Sequence, residues 1–309
     1  MRRVVLLVVL LVAVAAAVLF GVLPGMLMAQ YRQAVPPAPA DLAVQTVHFA
    51  SADGVDLVAW VAEAEAPKAT VILVHGSGGT RADDYIDQTG MMRDLLGRNY
   101  SVLALDLRNH GDSGAGPRGP SYGPDEARDV IAAVDWVKRR SPGRRVAVYG
   151  TSMGGAVAIY AAAADPRIEA VVVDSTYADS GPVVGQEVED ATGLPPLLTR
   201  LVLWGADHFW GLAERDGRTI DVIGRLGARP LLIIHAKDDP VVPFADAQRL
   251  AAADPAAVLW QAPPPVAEDG AESAVEGFGG HAQTYRQSRE LWVEQVSGFL
   301  DGLFATMFG

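Results

Sequence analysis

The stretch Val146–Tyr160, VAVYGTSMGGAVAIY, constrains this chain more than any other. Its first four apolar or aromatic residues read as a short buried strand, and Gly155–Ala161 runs on as a helix of small residues. Between them stands Gly150-Thr151-Ser152-Met153-Gly154. A strand meeting a helix through Gly-x-Ser-x-Gly turns so sharply that side chains at the glycine positions would strike the neighbouring strand or helix. The turn presents the Ser152 hydroxyl, and the Met153 N–H and the helix N-terminus point at the same spot. Such a pentapeptide arises by chance in about one chain in ten of this length. A glycine-rich turn whose serine merely caps a helix would look the same. What decides is the strand before it, the helix after it, and the order of reactive groups in the remaining chain.

At the N-terminus, Val4–Phe20 carries no polar side chain, and the apolar character continues to Met28. That is about 25 residues, against the roughly 20 that cross a bilayer as a helix. A secretory signal has an apolar region of only about 7–15 residues and a small-x-small cleavage site, which Leu27-Met28-Ala29 does not supply. Residues 1–30 are therefore expected to be an uncleaved transmembrane anchor. Arg2 and Arg3 precede the span and Arg32 follows it, which predicts a cytoplasmic N-terminus and an extracytoplasmic remainder. Residues 31–43 read as a linker, with Gln33–Asp41 (QAVPPAPAD) an extended Pro/Ala spacer separating anchor from domain.

With Arg2 and Arg3 set aside, 25 basic residues less two against 37 acidic ones leave a charge of about −14. That opposes nucleic-acid binding and simple polybasic attachment to anionic lipid. The absence of cysteine excludes disulfides, thiolate metal sites and a cysteine nucleophile.

From residue 44 to 309 the chain reads as one domain with enough length for a full core. Val44–Phe49 and Val55–Ala62 form an alternating hairpin across Ser51-Ala52-Asp53-Gly54. Ala69–Val74, Tyr100–Leu105, the strand before Ser152, Ala170–Asp174, Pro230–His235 and Ala257–Gln261 are continuous apolar runs, as in strands buried on both faces. Helical spacing marks Asp83–Arg98, Pro124–Arg140 and Thr284–Phe308. The pattern predicts an α/β fold with a mostly parallel sheet of about eight strands between helical layers. Residues 176–229 interrupt it. So long a loop without structure is improbable, so a small helical cap is expected there. Its Trp204, Phe209 and Trp210 either line an apolar pocket or pack the cap on the domain.

In such sheets functional groups sit in loops at the carboxyl ends of strands. After Val74 comes His75-Gly76-Ser77-Gly78-Gly79, a loop in which the Ser77 N–H is the candidate second donor, beside Met153, to a developing oxyanion. After Leu105, Asp106-Leu107-Arg108-Asn109-His110 reads as a structural turn. After His235 come the adjacent Asp238 and Asp239, either of which stands where a catalytic histidine finds its orienting carboxylate. Of six histidines, only His281 lies downstream of that loop, following Gly279-Gly280. Ser152, an aspartate and His281 thus follow in the chain order that goes with this turn.

The segments VILVHGSGG, LALDLRNHGDSG, VAVYGTSMGGA, LLIIHAKDDPVVP and GGHAQTY resemble the α/β-hydrolase superfamily, in the small-cap subgroup labelled esterase, lipase or serine aminopeptidase-like. The resemblance runs from Val44 to the C-terminus. It implies that the acid is Asp239, four residues before Pro243, and that Ser77 and Met153 supply the oxyanion hole. The loop Pro263–Gly277 is longer and more acidic than that family usually has. The reaction expected is cleavage of a carboxylic ester or thioester of a small apolar substrate through Ser152, His281 and Asp239. No cofactor and no metal are called for. Peptidase action on short peptides, acyl transfer, and a non-catalytic membrane-tethered binding module are the alternatives.

Overall fold

The computed structural model describes residues 1–29, 32–263 and 280–304. Strands β1 (Gln45–Ala50) and β2 (Asp56–Ala62) form the expected hairpin. They lead into β3 (Ala69–Val74), helix α3 (Gln88–Gly97), β4 (Tyr100–Leu105), α4 (Ala127–Arg140), β5 (Val146–Thr151), α5 (Met153–Ala164) and β6 (Ala170–Asp174). After the interruption come β7 (Leu231–Ala236), α8 (Phe244–Ala253), β8 (Ala257–Ala262), the short α9 (Thr284–Gln287) and α10 (Arg289–Phe304). The eight strands make one sheet in the order β1-β2-β4-β3-β5-β6-β7-β8. Pairings β1–β2 and β2–β4 are antiparallel and all the others parallel.

The alternating direction of strand side chains splits the core in two. Ile72 and Val74 of β3, with Val146 and Val148 of β5, face α4 and α5. Val71, Leu73, Ala147 and Tyr149 face α3 and α10. Burial on both sides is why these strands are apolar without interruption, and why β5 comes to the middle of the sheet with Ser152 at its carboxyl end.

Two helices start later than their spacing predicts, because acidic side chains take up the local backbone donors. Asp83 accepts the Tyr85 N–H at 3.0 Å, and Asp87, at φ 50°, caps α3 through the Gly90 N–H at 3.0 Å. Glu126 takes the N–H groups of Ser121 and Gly123, at 2.9 and 3.0 Å, just before α4. The final helix is broken at Ser288, where φ is −141°. The loop Pro263–Gly277, except for Pro263, and the end of the expected final helix beyond Phe304 lie outside the described residues.

Between β6 and β7 lie α6 (Ser180–Thr192) and α7 (Pro196–Trp210), followed by two short 3-10 turns. Val183, Val184, Val188, Leu203 and Ala206 bury one face of this pair into the α4–α5 side of the core. The aromatic residues do something else. Trp204, Phe209 and Trp210 remain 49%, 61% and 44% exposed. They meet the N-terminal helix.

That helix runs through α1 (Arg2–Ala17), a π-turn (Val18–Val22) and α2 (Leu23–Ala29). No residue of α1 is buried, whereas the π-turn and α2 lie along α7. The Pro/Ala segment therefore does not hold the helix clear of the domain. Just before it, Arg32 donates to the Gly111 and Ser113 carbonyls at 3.2 and 2.9 Å.

Candidate active site

Ser152 stands at the end of β5 with φ 53° and ψ −118°, a conformation side chains rarely adopt. Gly150 and Gly154 beside it are required by backbone, not by flexible neighbours. A methyl group at Gly150 would strike the Gly154 carbonyl, and one at Gly154 would strike the Val74 and His75 carbonyls. One at Gly155 would strike Thr176. The turn is held from the next strand, where the Asp174 carbonyl accepts the Ser152 N–H at 2.8 Å. Thr176 donates its hydroxyl to the Ser152 carbonyl at 2.9 Å.

His281 stands beside this serine, its Nε2 2.9 Å from Ser152 Oγ. Its Nδ1 lies 2.9 and 2.8 Å from the two carboxylate oxygens of Asp239. The ring therefore donates its Nδ1–H to Asp239 and leaves Nε2 to accept the Ser152 hydroxyl proton. Asp239 is buried and Asp238 exposed, so only one of the adjacent pair faces the ring. Burial would raise the Asp239 carboxyl. The hydrogen bond and charge of His281, with the Val242 N–H, outweigh it and hold the group below the usual carboxylate range. The Val241 and Val242 N–H groups each donate to Asp239 Oδ1 at 2.9 Å.

The other histidines of the strand-end loops are structural. His75 accepts the Leu107 N–H on Nε2 at 3.1 Å and donates from Nδ1 to the Gly76 carbonyl at 2.7 Å. Burial pushes it down to about 4, so it is neutral and ties the β3 and β4 loops together. His110, donating from Nδ1 to the Arg108 carbonyl at 2.8 Å, is buried and likewise held low, at about 3. Arg108 bridges Asp53 and Asp129 beneath the β4 loop, at 2.8 and 2.7 Å. His235 donates to the Val242 carbonyl at 2.8 Å and so braces the loop that carries Asp239.

The glycine-rich loop after β3 reaches the serine directly: a methyl group at Gly76 would lie 3.4 Å from Ser152 Cβ. Ser77 follows, half-buried. On the other side Met153 opens α5, so its N–H is among the helix donors without an intrahelical acceptor.

Further groups at the site went unnoticed in the sequence. Asp174, the last residue of β6 and in register with Thr151 at the end of β5, is a fully enclosed carboxyl. Tyr149 donates to it at 3.1 Å and Thr284 at 3.3 Å. Burial, first, and the charge of Asp239 push it up to about 6. Its position at a strand end was the available signal, the same one that marks Asp239. Tyr85 donates to the His281 carbonyl at 2.6 Å and locks the histidine loop. Glu187 of α6 is raised by burial, with the charge of His281 acting against the rise, so the cap holds an acid within electrostatic reach of the site. Nothing in the local sequence distinguishes it from any other acid on a helix. A separate cleft of about 450 Å³, lined by Gln186, Glu189, Arg200 and Arg215 among others, opens between α6 and α7 without reaching Ser152.

Residues 69–203 match the family model described as the alpha/beta hydrolase fold. An esterase of Pyrococcus furiosus superposes with a TM-score of 0.68 at 26% identity, over 88% of this chain and 96% of that one. The chain has the α/β-hydrolase fold. It is also similar to the lysophosphatidylserine lipase of Macaca fascicularis, 29% identical over 215 residues, which are 65% of this chain and 49% of that protein. The chain thus spans about half the length of these curated relatives. An uncharacterized protein of Bacillus subtilis is 28% identical over 265 residues, 82% of this chain and 78% of its own. The strand order, the serine at the end of β5, and the acid and histidine loops after β7 and β8 are thus read on a known hydrolase scaffold.

Proposed function

We propose that this chain is a membrane-anchored serine hydrolase that cleaves the carboxylic ester or thioester bond of a small apolar acyl substrate. The observation that carries the reading is the His281 ring, hydrogen-bonded on one nitrogen to Asp239 and on the other to a serine held at φ 53°. His281 Nε2 takes the Ser152 proton as Oγ attacks the acyl carbonyl, and the Ser77 and Met153 N–H groups stabilise the oxyanion. The intermediate collapses, His281 returns the proton to the departing alcohol or thiol, and an acyl-serine remains. Water, deprotonated by the same nitrogen, then releases the acid and restores Ser152. The names of two relatives, a lipase and an esterase, are in keeping with ester cleavage. The helix Arg2–Met28, with mean hydropathy 3.2, anchors the enzyme with its N-terminus in the cytoplasm and the domain outside.

A fluorophosphonate probe on the detergent-solubilised protein tests this. Wild type should label strongly, and Ser152→Ala and His281→Ala should not. A folded wild type that fails to label would return the chain to the class of non-catalytic hydrolase-like binding modules.

Cleavage of short peptides is the second reading, favoured by one observation. Glu187 gives the cap a half-buried acidic group within electrostatic reach of His281, as recognition of a substrate ammonium would need.

A further inference from the structure

The anchor is longer than a bilayer requires, and its outer end, on both sides of the boundary, is the part that touches the cap. Arg2–Met28 is 27 residues. At about 1.5 Å per residue it is ~40 Å long, whereas the hydrocarbon core is ~30 Å and takes about 20 residues. A span beginning at Val4 leaves the hydrocarbon near Leu23. Phe20, one turn earlier, is where the cap makes contact. Its ring meets Trp204 edge-on at 5.6 Å and Phe209 at 6.4 Å. Trp210 donates its indole N–H to the Phe20 carbonyl within the π-turn at 3.3 Å. Helix and cap meet without a gap: a methyl group at Gly205 would lie 2.7 Å from the Phe20 ring, and one at Gly25 3.0 Å from the Trp210 ring.

Those contacts fix the depth of α7. With the N-terminal helix in place, Leu197, Leu201, Trp204 and Phe209 are still 70%, 37%, 49% and 61% exposed. Leu197, Leu201 and Trp204 follow at i, i+4 and i+7, one outward stripe, while Thr199, Val202, Leu203 and Ala206 fill the inward face. The outward side also carries the exposed Arg200, Asp207 and His208, the last stacked on Trp204, so apolar and polar groups meet there. The domain partners the inward face, and the outward one adjoins the outer boundary of the anchor's span, where such mixed faces and tryptophan are enriched in membrane proteins.

We infer that α7 is a second membrane element, lying in the interfacial layer of the bilayer that the anchor spans, with Leu197, Leu201, Trp204 and Phe209 facing the acyl chains. The inference rests on the anchor reading above. The chain's net acidic charge makes this an apolar contact and not a polybasic one. Because α6 packs beside α7, the cap as a whole then rests on lipid.

The test uses the full chain in phosphatidylcholine vesicles. It holds no cysteine, so single-cysteine variants need no background changes. An environment-sensitive fluorophore is attached at Leu201→Cys, Phe209→Cys, Val9→Cys and Glu290→Cys, the last on α10 across the sheet, with fluorophosphonate labelling to show that each variant is intact. The probes at 201 and 209 should shift to the blue and be quenched by lipids spin-labelled near the headgroup, about 5–10 Å below it. The probe at 9 should be quenched by deep labels and that at 290 by neither. Quenching at 9 with a solvent-like signal at 201 and 209 would overturn the inference and leave the anchor standing. A blue shift at 201 and 209 without lipid quenching would also overturn it, in favour of a second copy of the chain on this face. A probe at 9 that no lipid quenches would remove the anchor reading itself.

Discussion

Asp174 serves Ser152 and the histidine loop at once. Its main-chain carbonyl accepts the Ser152 N–H at 2.8 Å, while its carboxyl takes the Thr284 hydroxyl at 3.3 Å, three residues beyond His281. The Tyr149 hydroxyl completes the link, itself accepting the Trp292 N–H of α10 at 3.0 Å. Backbone strain gathers around this link, since Ser152, Ser175 and Ala282 have φ of 53°, 55° and 57°. Such residues persist where the surroundings over-determine them.

Asp174 also gives a stability signature in pH. Burial raises it from 3.8 in the unfolded chain to about 6 in the folded one. Its favourable contribution is therefore complete below pH 3.8 and is lost as pH rises through about 6. Relative to Asp174→Asn, wild type should lose on the order of 3 kcal/mol across that interval. Thermal unfolding of both proteins in detergent between pH 4 and 7 reads it. Parallel curves would mean that Asp174 is ionised throughout.

Asp239 works in the opposite sense. Its folded value lies below the ordinary one, so the stability it brings is present above the unfolded value and is lost as pH falls through the folded one. Asp239→Asn should fold, flatten that acid limb, and slow fluorophosphonate labelling by about 10³–10⁴-fold, since an amide no longer fixes the ring tautomer. Near-normal labelling of this variant would remove Asp239 from the mechanism.

Much of this architecture is legible because its causes are local. Strands such as Ala69–Val74, Tyr100–Leu105 and Ala170–Asp174 lie where their apolar runs lie, being buried on both faces. The turn at Ser152 is legible because only glycine tolerates contact with the Val74 and Gly154 carbonyls. The approach of Asp239 to His281 across 42 residues depends on chain order and a resemblance, as spacing alone leaves Asp238 equally eligible. What stays hidden is what depends on distant partners. Trp204 and Phe209 read as pocket or core, because nothing near them in sequence says that Phe20 lies against them. Asp83 and Glu126 shorten two helices through side-chain bonds that apolar spacing does not register.

The elbow allows a direct check of its steric argument. Gly154→Ala sets a methyl group against two backbone carbonyls that have nowhere to go, and should lower stability by about 1–3 kcal/mol or prevent folding. Gly143→Ala, in open space, is the control and should leave the melting temperature almost unchanged. Equal behaviour of the two would mean that the turn is looser than described.

Contact between anchor and cap is measurable as a pair energy. Phe20→Ala and Trp204→Ala should each lower the melting temperature, and the double variant should lose less than their sum by about 0.5–1.5 kcal/mol. Strict additivity in a double-mutant cycle would show that the two rings do not meet in the folded protein.

Glu187→Gln separates the two substrate readings. If the carboxyl recognises an ammonium group, kcat/KM for amine-bearing esters or peptides should fall about tenfold or more, with neutral esters of the same chain length unaffected. An equal change for both classes would assign Glu187 to the cap's own structure.

Chain order has a consequence in time. Ser152 and His281 stand 129 residues apart along the polypeptide. At about 5–20 residues per second, synthesis takes roughly 6 to 26 seconds to travel from one to the other. Throughout that interval the anchor has already emerged, and the serine is made, but it has no base. On the proposed mechanism a nascent or prematurely terminated chain is inert toward the membrane that receives it, and reactivity switches on only when β7, β8 and the histidine loop have been added to the sheet.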